Sequence, residues 1–87
     1  MPRFIAVHTI PTMTEERVIA LAKNKVPKGI AWKKTYCDFT DGKFFCDWEA
    51  ANKEAIEEYF KTEKFRFDAI YPVRRFDVDK KKFKDKA

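Results

Sequence analysis

Histidine occurs once in this chain of 87 residues, and cysteine and glycine twice each. The two cysteines, Cys37 and Cys46, fit no zinc-ribbon, CxxC or haem-attachment spacing. Long apolar runs are also missing. The longest uncharged stretch, residues 4–14, contains His8 and Pro11 and is far shorter than the ~20 apolar residues of a helical membrane span. Met1-Pro2-Arg3 leads straight into a strand-like run, with no separate apolar segment and small-residue cleavage site. A cytoplasmic location is therefore expected. In that reducing compartment both thiols are expected to be free.

What is present is a core. The chain is 45% hydrophobic and carries nine Phe, three Tyr and two Trp, which excludes a disordered body. The formal charge is +5, and +3 of it lies in residues 79–87, which hold five Lys and two Asp. A single domain over 1–78 with a basic, frayed tail over 79–87 is expected.

Residues 3–9 read as a strand, which Pro11 ends. Thr14, followed by Glu15 and Glu16, caps a helix to about Lys25 that turns Val18, Leu21 and Ala22 inward. Residues 30–38 and 43–49 make two further strands around Thr40-Asp41-Gly42. Asn52 caps a second helix over about 53–62, and residues 69–78 make a fourth strand, which Pro72 assigns to an edge. The order βαββαβ predicts an α+β, ferredoxin-like domain. Its four-stranded antiparallel sheet has the order 4-1-3-2, with both helices on one face. The open face then carries apolar groups, and a second copy of the chain is its expected cover.

Hairpin register follows from which face is buried. A three-residue loop with a bulge at Gly42 pairs Phe39 with Lys43. It gathers Trp32, Lys34 and Tyr36 with Phe44, Cys46 and Trp48 on one face, and separates the cysteines onto opposite faces.

His8 ends the first strand. The topology brings Tyr36, Tyr59, Glu63, Asp68 and Tyr71 to the same rim of the sheet, which predicts a small polar pocket for a metal or small ligand. Glu49 falls outside it, roughly 14–17 Å away along the strands at ~3.4 Å per residue. Cys46 is expected in the core, with no neighbour to activate it. Two other classes stand beside this reading. One is a cofactor-free oxygenase or isomerase of the dimeric α/β-barrel type, with His8 and Tyr36 or Tyr71 as acid–base groups. The other is weak single-stranded nucleic-acid binding on Trp32, Tyr36, Phe44, Phe45 and Trp48. Against it, residues 43–49 lack the Arg/Lys-Gly-aromatic opening of RNA-recognition strands and end acidic.

Val7-His8-Thr9-Ile10-Pro11, Thr14-Glu15-Glu16, Gly42-Lys43-Phe44-Phe45-Cys46, Glu49-Ala50 and Asp68-Ala69-Ile70-Tyr71, in this order and spacing, resemble a family of short prokaryotic domains whose described member binds nickel. The resemblance covers residues 3–78. It implies a ferredoxin-like subunit, a dimeric α/β-barrel arrangement and a site for nickel or another divalent transition metal. Metal-binding relatives carry His at the position of His8 and again late in the second helix. Those later positions are Tyr59 and Glu63 here, so the implied ligands are His8 and Glu63.

Overall fold

The computed structural model describes residues 1–85. The elements run β1 (Arg3–Thr9), α1 (Glu15–Ala22), β2 (Ile30–Asp38), β3 (Lys43–Ala50), α2 (Lys53–Glu63), β4 (Ala69–Val73), β5 (Phe76–Asp77) and β6 (Lys82–Phe83). The first four strands form one antiparallel sheet in the order β2-β3-β1-β4, which is the expected ferredoxin-like α+β arrangement. Pro72 lies on edge strand β4, where its missing N–H costs no ladder bond.

Both helices start where their caps predict. The Thr14 hydroxyl accepts from the Arg17 N–H at 3.2 Å, and the Asn52 side chain accepts from the Ala55 N–H at 2.9 Å. Each satisfies an N–H that has no partner inside its helix. The helices differ in what they bury. α2 sends Ile56, Tyr59 and Phe60 into a core with Phe4, Ala6, Trp48 and Ile70. Ile56 and Phe60 are essentially sealed from solvent, each contributing roughly 1.5–3 kcal/mol of burial. α1 buries none of its residues and stops at Ala22, short of the expected Lys25. Val18 and Leu21 are half-buried and Ala22 is exposed, so the expected inward face is not packed into the core.

The β2–β3 register departs from expectation. Asp38 pairs with Lys43 across a four-residue loop, and Cys37 pairs with Phe44. The Asp38 carboxylate accepts from the Asp41 N–H at 3.1 Å, and Phe39 packs edge-on against Phe44. Further along, a bulge between Trp32 and Lys34 shifts the pairing by one residue. Lys33 and Lys34 are both exposed there. The result returns Trp32 to the face of Trp48, places Thr35 and Cys37 with Phe44 and Cys46, and sends Lys34 and Tyr36 to the other face. Both thiols are free, as expected, but they share the helix-side face.

Gly42 has φ +68°, and its carbonyl accepts from the Ile10 N–H at 2.8 Å. A Cβ there would meet the Pro11 Cα at 2.8 Å, a clash against backbone. Glycine at this position lets the hairpin press against the end of β1.

The C-terminal segment is not a frayed tail over its described length, and the fourth strand does not run on to Val78. The chain turns after Val73, and β5 pairs with β6. Phe76 and Phe83 meet at 5.0 Å between ring centroids, and Arg74 lies over the Phe83 ring. Asp85 accepts from the Arg75 backbone N–H and guanidinium, and that pairing holds its carboxyl well below the usual range. Residues 86–87, the end of the expected tail, lie outside the described residues.

Candidate functional site

β1 alternates its side chains across the sheet. Phe4, Ala6 and His8 face the helices, while Arg3, Ile5, Val7 and Thr9 face the other way. His8 is 7% exposed and stands opposite Phe44. It forms part of a cavity of about 480 Å³ enclosed by the helix side of the sheet, α1 and the segment after α2. Trp32 and Trp48 stack along one wall at 6.0 Å between ring centroids, and Phe60 meets the His8 ring edge-on at 5.2 Å. α1 supplies Arg17, Val18, Ala20 and Leu21, and Asn24 follows just past its end. Its failure to pack against the core is what leaves the space open. The volume lies within the ~300–1,000 Å³ of small-molecule pockets.

Chemistry in the cavity is sparse and specific. His8 Nδ1 lies 2.7 Å from the Arg66 carbonyl, which only accepts, so Nδ1 carries the proton and Nε2 holds the free lone pair. Burial pushes the His8 pKa below 6.5, against smaller opposing effects of the Arg66 carbonyl and Asp68. The imidazole is therefore neutral at pH 7. Trp48 is buried, and its indole N–H has no hydrogen-bond partner among the described residues. The Trp32 indole, by contrast, donates to Thr35 at 2.6 Å. Burial and the Glu63 carboxylate push the Tyr59 phenol up, so it keeps its proton. Burial raises the Cys46 thiol to about 11, which keeps it protonated and leaves it a poor nucleophile at neutral pH.

The neutral buried histidine has a thermodynamic consequence. The unfolded chain takes up a proton near pH 6.5 before the folded one does, so this contribution to stability is intact above pH 6.5 and is lost as pH falls through the lower folded value. The denaturation midpoint is expected to drop between pH 7.5 and pH 5.5 by more in the wild type than in His8→Gln.

Of the residues expected around His8, only Tyr59 shares its cavity. Tyr36 pairs with Phe45 and Tyr71 with Ile5, so both stand on the open face, 60% and 56% exposed. The four-residue loop that pairs Asp38 with Lys43 accounts for Tyr36, and β4's register against β1 accounts for Tyr71. An acid–base pair of His8 with either tyrosine is therefore not formed within one protomer. Asp68 is exposed and engaged with Thr9, whose hydroxyl donates to its carboxylate and accepts from Lys43 Nζ at 2.8 Å. Glu63 is exposed and does not line the cavity. The aromatic set is likewise divided. Trp32, Phe44 and Trp48 face the helices, and Tyr36 and Phe45 face outward, so they offer no single stacking platform. Among the described residues no group of three or more His, Cys, Asp or Glu side chains is placed to hold a metal, and no helix is long and apolar enough to cross a membrane.

Sequence reasoning found His8 and Tyr59 but missed Trp48's unpartnered N–H and the basic residues Arg17, Lys64 and Arg66, which also line the cavity. The alternation of β3 places Trp48 on the helix face. The basic residues come from α1 and from the turn after α2, and no local spacing links them.

A comparison with curated proteins gave no match. Among solved structures, the chain is similar to SCO4226 from Streptomyces coelicolor A3(2), with a TM-score of 0.65 and 19% identity over 82% of this chain and 94% of that one. At this identity the likeness supports the fold. The family described as "Nickel responsive protein SCO4226-like" matches residues 4–73, and the chain belongs to this SCO4226-like family.

Proposed function

We propose that this protein binds a small, largely apolar molecule in the cavity beneath α1, with His8 Nε2 as its polar contact. The observation that carries this reading is the cavity itself. It is a space of about 480 Å³ walled by Trp32, Trp48 and Phe60, with a neutral imidazole in its lining whose Nε2 lone pair is free.

The family's nickel description fits these residues poorly. Nickel favours several imidazole nitrogens. This chain supplies one histidine, with Nδ1 committed to Arg66, while Glu63 is exposed outside the cavity. A second copy of the chain over the open face remains the expected partner, and the exposed Tyr36, Phe45 and Tyr71 on that face support it.

Ala20 is exposed yet lines the cavity, so a tryptophan there enters the space without displacing core atoms. Ala20→Trp is expected to weaken binding of N-phenyl-1-naphthylamine, a neutral fluorescent probe of apolar pockets, by more than tenfold. The unfolding midpoint is expected to change little. Equal probe affinity in the two proteins contradicts the reading.

A further inference from the structure

The cavity beneath α1 is apolar in its depth and cationic where it meets solvent. Arg17, Lys64 and Arg66 all line it, and all three are exposed. They come from separate places, one from α1 and two from the segment that closes α2, so no single helix face accounts for their meeting. None forms an ion pair among the described residues. The ion pairs there are those of Arg3 with Asp47 and Glu49 and of Arg75 with Asp85. Asp and Glu are absent from the lining altogether. In a chain with 14 acidic residues the charged side chains of the lining are thus all cationic, with Glu63 and Asp68 acting on Tyr59 and His8 from outside it.

From this juxtaposition we infer that the ligand is an amphipathic anion, an aromatic or aliphatic acid. Its apolar body lies against Trp32, Trp48 and Phe60, and its carboxylate or sulfonate faces Arg17, Lys64 and Arg66. The inference deepens the reading of the cavity as a small-molecule site and rests on it. Desolvation sets the orientation. An acid group placed against Phe60 and Trp48 loses its water, whereas at the exposed cations it keeps water and gains charge-assisted hydrogen bonds. His8, being neutral, adds no competing charge in the interior.

A matched pair of probes separates the two claims. 8-Anilino-1-naphthalenesulfonate is N-phenyl-1-naphthylamine with a sulfonate added. Fluorescence titration of the full chain at low salt is expected to show the sulfonate binding about tenfold more tightly than the neutral probe, a difference of about 1.4 kcal/mol. The preference is expected to shrink at 0.5 M salt, where charges are screened. Lys64→Gln/Arg66→Gln changes only exposed side chains, so folding is not at risk. It is expected to abolish most of the preference, the sulfonate losing more affinity than the neutral probe. Decanoate is expected to displace the sulfonate from the wild type, and decanol to do so less well. Equal affinities for the two probes, both lost in Ala20→Trp, overturn the anion assignment and leave the apolar site standing. Binding of neither probe to the folded protein overturns both.

Discussion

Replacing Phe60 by alanine is expected to destabilise the domain by about 3–5 kcal/mol, the largest effect of any single truncation here. Phe60 is 1% exposed and lies at the centre of the aromatic cluster, with His8, Trp48, Tyr59, Phe65 and Phe67 all within about 6 Å between ring centroids. Its ring joins α2 to the sheet and supports the His8 wall of the cavity. A domain of this size has a total stability of roughly 5–10 kcal/mol, so Phe60→Ala removes from about a third to all of it. Thermal unfolding by circular dichroism reads the effect, and a midpoint shift of at least about 12 °C is expected. Phe60→Leu keeps most of the volume and is expected to lose less than half as much. A Phe60→Ala protein that melts within a few degrees of wild type means that the cluster is not the core's anchor.

The second large effect lies on the other side of the sheet. Arg3 donates to Asp47 at 2.8 Å and pairs with Glu49 at 2.6 Å. Arg3 and Asp47 are each only 8% exposed. Removing the cation strands a buried carboxylate, and Arg3→Met is expected to destabilise by roughly 3 kcal/mol. The pair need not be stabilising for that to hold. Arg3 Nε and one Asp47 oxygen have no partner among the described residues, so desolvation of both ions is incompletely offset. Arg3→Met/Asp47→Leu is therefore expected to recover most of the loss, since two well-packed apolar groups replace two incompletely satisfied ions. Urea unfolding of the wild type, both single variants and the double variant measures the coupling. Additive losses in the double variant contradict this account of the pair.

The legible parts of the fold were those set by local chemistry. Thr14 and Asn52 cap their helices because short polar side chains satisfy helical N–H groups. Pro72 marked an edge strand because it has no N–H to give. The β2 register departs from expectation because the loop to β3 has four residues rather than three, and because strict alternation does not hold through Lys33. The signal lay in Lys33-Lys34, two adjacent cations that a regular strand cannot both send to solvent from a half-buried sheet, and a bulge lets both do so. The C-terminal hairpin was hidden for a different reason. A lysine-rich segment reads as solvated by composition. What folds it is the pairing of Phe76 with Phe83 and of Arg75 with Asp85, contacts that no periodicity announces.

The site shows the same division. His8 stood out as the sole imidazole, and its place at the strand end is as expected. The cavity did not stand out, because it depends on α1 standing off the core. Val18 and Leu21 have the spacing of core residues, and nothing in that spacing distinguishes a packed helix from one roofing an open space.

The central claim is that ligand enters between α1 and the sheet rather than at the open face. A ¹H–¹⁵N correlation spectrum of the full chain titrated with 8-anilino-1-naphthalenesulfonate tests it directly. The chain contains two indole N–H groups, Trp32 and Trp48, and both residues line the cavity. Both indole peaks are expected to move, together with the amides of α1 and of Lys64, Phe65 and Arg66. Indole peaks that stay in place while the amides of Tyr36, Phe45 and Tyr71 shift would put the ligand on the opposite side of the sheet and contradict the account.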